Sequence, residues 1–170
     1  MPTYLILSVD RANNTAAEAM EVVDLAIRYR SRGVVGIDLC GNPAKGDVAI
    51  YGPAFARAKQ HTLKLTLHFG EVASPSLESE LRTLLSYNPD RIGHVIHVPD
   101  AIKQEIAARK LPLELCLSCN VHAKLISGGF AGHHFGEWRD KGCPIVLCVS
   151  SHTHNPFSPQ RNFNTLEPRY

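Results

Sequence analysis

The sequence predicts an α/β fold, a partial (β/α)8 barrel of parallel strands joined by helical crossovers. Three observations predict it. Short apolar runs alternate with helix-like stretches, about one pair every 30 residues. Nearly every run ends in a side chain able to do chemistry: Asp10, Asn42, His68 with Glu71, His94, Asn120 and Ser150. In a barrel all strand C-termini ring one mouth, and catalytic groups come from several of them. The rival architecture is an open doubly wound sheet. It would carry a Gly-rich phosphate loop after its first strand, and none follows residues 4–10.

The elements follow in order. YLILSVD (4–10) is the first strand. AAEAMEVVDLAIRYRS (16–31) spaces Met20, Val23, Leu25, Ala26 and Ile27 as a helix does, with Asn14 or Thr15 as its cap. GVVGIDLCG (33–41) is a strand, AIYGPAFARAKQH (49–61) a helix, and LKLTLHFGE (63–71) a strand that alternates Leu63, Leu65 and Leu67 with Lys64 and Thr66. LESELRTLLSY (77–87) and DAIKQEIAARK (100–110) are helices flanking the strand RIGHVIHV (91–98), and Asp100 stands where a cap belongs. LPLELCLSCN (111–120) and CPIVLCVS (143–150) complete six strands. A whole barrel needs eight units and about 250 residues. The segment 150–170, rich in Ser, His, Asn and Pro, has neither period and reads as an irregular, disordered tail. The expected division is therefore a barrel portion, 1–149, and a tail, 150–170. Such a portion is expected to expose two strand edges and an apolar interior, and to be poorly soluble alone.

Composition narrows the function. A chain of 170 residues can bury a sizeable core, and 20% charged residues is ordinary for a globular protein. A net charge of +2 is too small for bulk attraction to nucleic acid or a membrane surface, so neither is an expected partner. No run approaches the roughly 18 apolar residues of a membrane span. MPTYLILSVD has no basic stretch or small-residue cleavage site of a signal peptide. Five cysteines, mostly in apolar runs, fit reduced thiols, and a cytoplasmic location is expected.

Two histidines and a carboxylate stand out. A His at a strand end is a candidate metal ligand, and His68 is one. Glu71, just beyond it, is placed to move protons. His94 ends the next strand, so the three converge although they are apart in sequence. Cys116 and Cys119 form CLSC, but no second such pair exists, and they read as buried strand thiols. His133 and His134 read as loop contacts, and His152 and His154 as solvated tail residues.

These motifs in this order resemble the adenosine deaminase family, and its adenosine deaminase-like branch in particular. The stretches that carry the resemblance are SVDR (8–11), GIDLCGNP (36–43), LHFGE (67–71), PDRIGH (89–94), LELCLSCN (113–120) and CPIVLC (143–148). The resemblance implies a (β/α)8 barrel with one catalytic zinc, Zn2+, acting on a 6-aminopurine nucleoside or nucleotide of the adenosine or N6-methyl-AMP type. It implies that His68 is a zinc ligand, that Glu71 gives a proton to the purine ring, and that His94 orients the attacking hydroxide. It implies substrate contacts at Asp10 and at the backbone of Gly41. Arg11 is expected either to meet a substrate phosphate or to be a solvated turn residue.

The pattern departs from the family at both ends. No His-x-His precedes residue 68, and Ser150 and Ser151 stand where the family has a zinc-binding and a substrate-binding aspartate. The six units match strands three to eight of the family barrel. The chain therefore reads as a fragment or alternative product with one matched zinc ligand, expected to bind zinc weakly and to be impaired in catalysis. The alternative is a non-catalytic chain acting, if at all, through interaction.

Overall fold

A computed structural model describes residues 3–74 and 77–148. The expectations for Ser150, Ser151, His152, His154 and the 150–170 tail lie outside the described residues. Six strands, β1 (Leu5–Asp10), β2 (Val34–Cys40), β3 (Lys64–Phe69), β4 (Arg91–His94), β5 (Leu113–Leu115) and β6 (Ile145–Leu147), form one sheet in the order β1-β2-β3-β4-β5-β6. Every neighbouring pair is parallel. Sequential order without reversal is the order of a barrel wall, since a doubly wound sheet reverses at a switch point.

The crossovers are α1 (Ala16–Arg28), α2 (Gly52–Gln60), α3 (Leu77–Ser86) and α4 (Asp100–Ala108), with two short helices, α5 (Leu117–His122) and α6 (Phe135–Asp140), near the end. Thr15 caps α1 in a capping box: it accepts from the Glu18 amide while the Glu18 carboxylate accepts from the Thr15 amide. Pro53 stands in the first turn of α2, where its missing N–H costs nothing. Asp100, expected as a cap, is instead the first residue of α4; Pro99 is the cap and makes no side-chain bond. The fifth strand is shorter than expected. After Leu115 the chain turns into α5, so Cys119 and Asn120 are helical.

The two faces of the sheet differ sharply. Val9, Ile37, Leu39, Leu65, Leu67, Ile92, Leu113 and Leu115 are buried in one core with residues such as Val23, Phe55, Leu84 and Ile106 from the helices. Alternate residues point to the opposite face: Ser8, Asp38, Thr66, His68, Arg91 and Glu114. These are bonded to one another. Ser8 Oγ donates to Asp38 Oδ2 at 3.4 Å, Thr66 Oγ1 to Glu114 Oε2 at 3.0 Å, and Arg91 Nε lies 2.9 Å from Glu114 Oε1. The expected apolar interior is thus polar and cross-linked across its middle strands, with Ile6 and Val146 exposed on its outer ones. The expected edges are present: Leu5 on β1 and Val146 and Leu147 on β6 are more than half exposed.

Candidate active site at the carboxyl ends of β3 and β4

β3 ends at Phe69, and Gly70, with φ 60°, turns the chain so that Glu71 folds back beneath the mouth, 9% exposed. The Gly70 carbonyl accepts from the His97 and Ile96 amides, at 2.8 and 3.2 Å, which locks this turn against the segment after β4. β4 ends more unusually. His94 and Val95 both have positive φ, 61° and 48°. For non-glycine residues, one of them β-branched, this costs about 1–3 kcal/mol each and persists only where surroundings enforce it. Here the Val95 amide donates to the Phe69 carbonyl at 2.9 Å, tying the two strand ends together.

The result is a compact cluster. The rings of His68 and His94 lie 5.2 Å apart, and His94 Nε2 is 3.8 Å from Glu71 Oε1. His94 is 3% exposed, and His134 Nε2 donates to its carbonyl at 2.6 Å. His68 Nδ1 faces Asp38 Oδ1 at 3.2 Å. Burial opposes a charge on His68, but the Asp38 hydrogen bond and the Asp38 and Glu71 charges outweigh it and raise its pKa.

Asn120, on α5 and fully buried, bridges two histidines. Its Oδ1 lies 2.9 Å from His94 Nδ1 and its Nδ2 3.3 Å from His133 Nε2. An amide's two ends are interchangeable by rotation, so chemistry must orient it. The backbone N–H of Phe135 donates to His133 Nδ1 at 3.0 Å and fixes that nitrogen as an acceptor. Burial and then the neighbouring His134 push the pKa of His133 down to about 4, so the ring is neutral near pH 7. Its proton is therefore on Nε2 and needs an acceptor, the amide oxygen. Satisfying His133 thus requires a half-turn of the amide from the placement above; so turned, its nitrogen donates to His94 Nδ1, and His94 carries its own proton on Nε2, toward Glu71.

The other expected site residues are more dispersed. Gly41 has φ 99°, and a Cβ there would strike the Asp10 carboxylate, so glycine is required. It lines the same cleft as His68 and Glu71. Asp10 turns onto its own loop, accepting from the Ala12 amide at 2.9 Å and the Asn13 side chain at 2.6 Å. Arg11, expected to meet phosphate or solvent, is 5% exposed, and both its terminal nitrogens donate to Glu80, at 2.8 and 2.7 Å. Nε adds a bond to the Lys45 carbonyl at 2.8 Å. Its guanidinium is committed within the fold. The sequence pointed to no role for Asp38, and to His133 and His134 only as loop contacts. For Asp38 the signal was a lone carboxylate inside VVGIDLC; for the histidine pair, only its adjacency.

A sequence model of the adenosine deaminase family matches residues 3–148. The N6-mAMP deaminase of Arabidopsis thaliana is 40% identical over 145 residues, 85% of this chain and 39% of that protein. The N6-methyl-AMP deaminase of Homo sapiens is 35% identical over 159 residues, 86% of this chain and 42% of that one. The crystal structure of the Arabidopsis N6-mAMP deaminase superposes with a TM-score of 0.80 over 86% of this chain and 42% of that chain, and a complex with IMP gives the same score, identity and coverage. The chain thus spans about two fifths of the length of these relatives. An amidohydrolase from Burkholderia ambifaria, solved with bound Zn, shares the fold at a TM-score of 0.72 and 21% identity. With nearly all of its described residues matched, and with the cluster His68, Glu71 and His94 gathered at the carboxyl ends of a parallel sheet, this chain belongs to the adenosine deaminase family.

Proposed function

We propose that this chain carries the proton-transferring, purine-facing part of a site for hydrolytic deamination of a 6-aminopurine nucleoside or nucleotide. The observation that carries the proposal is the Glu71–His94 pair, buried at the strand ends and held by two residues in a costly backbone conformation. In such a reaction an oxygen from water bonds to the carbon bearing the amine, and the carbon–nitrogen bond breaks. The ring nitrogen must gain a proton to accept the electron pair, and Glu71 gives it. The Nε2 proton of His94 holds the incoming oxygen in line. Gly41, in the same cleft, lets the purine approach the backbone.

The residues do not by themselves fit the family's zinc. Among the described residues no three His, Cys, Asp or Glu side chains converge as ligands, and structural and catalytic zinc sites use three or four. The same observation favours a second reading, a chain that binds a purine nucleotide without turning it over. Preference for a nucleotide rests on the relatives' substrates and on the IMP complex, since Arg11 is occupied by Glu80.

Purified chain should be assayed with adenosine, AMP and N6-methyl-AMP by the ultraviolet change on loss of the amine, and titrated with IMP by calorimetry. Turnover reduced about 10²–10⁴-fold in Glu71→Gln supports the catalytic reading. IMP binding without turnover, weakened in His94→Ala, supports the second. Neither binding nor turnover overturns both. Among the described residues no helix is long and apolar enough to cross a membrane.

A further inference from the structure

Two thiols that neither reading uses meet at the same end of the sheet. Cys116 follows β5 directly and caps α5; Cys148 follows β6 directly. Leu115 pairs with Leu147 in the parallel register, and the Cys148 amide donates to the Leu115 carbonyl at 3.1 Å. The next residues of both strands are therefore side by side, at the roughly 4.8 Å spacing of neighbouring strands. That lies within the range of Cα separations, about 4.4–6.8 Å, across which two cysteines can be bridged. Their sulfurs are 2.7 Å apart. Register and side-chain direction thus independently bring the two groups together.

We propose that Cys116 and Cys148 are an oxidisable pair, a modification site that closes to a β5–β6 disulfide on reaction with a small-molecule disulfide. Exposure assigns the two roles. Either sulfur can donate in this contact; with Cys116 as the donor, the bond raises its pKa, as burial also does, and lowers that of Cys148. Cys148 is half-buried and Cys116 buried, so the more exposed sulfur is the better nucleophile. Cys148 thiolate attacks one sulfur of the reagent, forming a mixed disulfide and expelling a thiolate. The expelled thiolate takes the proton of Cys116, whose sulfur then attacks that of Cys148 and releases the second thiolate. Two protein thiols and one disulfide become one protein disulfide and two small thiols. The other half-buried cysteine, Cys40, is pushed up to about 11 by burial and then by the charges of Asp38 and Asp10, so it stays an unreactive thiol.

Closure would tie the exposed edge strand β6 to β5 and fix the start of α5, the helix that carries Asn120 and so His94. The test is to incubate the full chain with oxidised glutathione, titrate remaining thiols, and map the products by mass spectrometry. Two of the five thiols should disappear, and the tryptic peptides 111–124 and 142–161 should appear as one linked species. Each peptide holds two cysteines, so fragmentation of the linked species must place the bond at 116 and 148. That measurement uses the unaltered sequence and needs no variant to fold. Cys148→Ser should abolish the link, and Cys143→Ser should leave it intact. A glutathione adduct on Cys148 that never closes, a bond to Cys119 or Cys143, or five surviving thiols would each overturn the proposal.

Discussion

The two faces of the same six strands do different work. On one, Leu65, Leu67, Leu113 and Leu115 pack against helices, and each gains by leaving water. On the other, Asp38, Thr66, His68, Arg91 and Glu114 exchange hydrogen bonds and charges, which stabilise little after desolvation is counted. The neighbouring residues Thr66 and Leu67 differ by one position and face opposite environments. Stability therefore resides on the helix side and the proposed chemistry on the polar side, and the two should respond separately to substitution.

The sharpest test is that adjacent pair. Leu67 is 1% exposed in the middle of the core, and Leu67→Ala should cost about 2–5 kcal/mol, read as a fall in the denaturant midpoint. Thr66→Val keeps the shape and removes one bond to Glu114, and should cost about 1 kcal/mol. Equal losses would erase the distinction between the faces.

A polar contact outside the sheet marks where that distinction should weaken. Arg11 is buried, and Glu80 is its only carboxylate partner among the described residues. Glu80→Ala strands the guanidinium and should cost about 2–3 kcal/mol, close to a core deletion. The double variant Arg11→Met, Glu80→Leu should be milder, since no charge is left behind. A double variant worse than the single would show that the pair contributes net attraction.

How much of this was legible in the sequence depended on the kind of signal. The strands were legible because alternation within LKLTL and the apolar runs around it have one buried solution. The residues around 116–120 were not, because CLSCN is apolar enough for a strand and only packing makes it a helix. His68, Glu71 and His94 could be singled out from their places at strand ends. Asp38 could not, since a lone carboxylate in a strand says nothing of which histidine it faces until the register sets β2 beside β3. The ion pair of Arg11 was hidden for a related reason: its partner, Glu80, lies 69 residues away.

A smaller effect tests the charges that bind strand ends to helices. Asp90 accepts from Lys59 at 2.9 Å, Lys64 at 3.0 Å and the Leu65 amide at 2.9 Å. Burial works to raise its pKa, but these bonds outweigh it and the net shift is downward. A carboxylate with a depressed folded pKa contributes stability that is present above its unfolded value, near 3.8, and lost as pH falls through the folded value. Asp90→Asn should therefore cost about 1–2 kcal/mol at pH 7 and progressively less toward pH 3. A cost independent of pH would mean that Asp90 acts by shape and not by charge.

The least costly change should be the most informative about the polar side. His133→Phe keeps a flat ring against His134, with which His133 stacks at 4.3 Å, and removes both ring nitrogens. Its effect on stability should stay within about 1 kcal/mol, since the residue is only half-buried. Its effect on His94 should be larger. In the parent chain the Phe135 amide fixes the proton of His133, His133 orients the Asn120 amide, and Asn120 places the proton of His94 on Nε2. Without His133 the amide is free to rotate its oxygen onto His94 Nδ1, which draws the proton to that side and away from Glu71. Nitrogen NMR of the labelled histidines reads this directly: His94 should show a protonated Nε2 in the parent and a protonated Nδ1 in the variant. A protonated Nε2 in both would mean that Glu71, 3.8 Å away, holds the proton there without help from the loop.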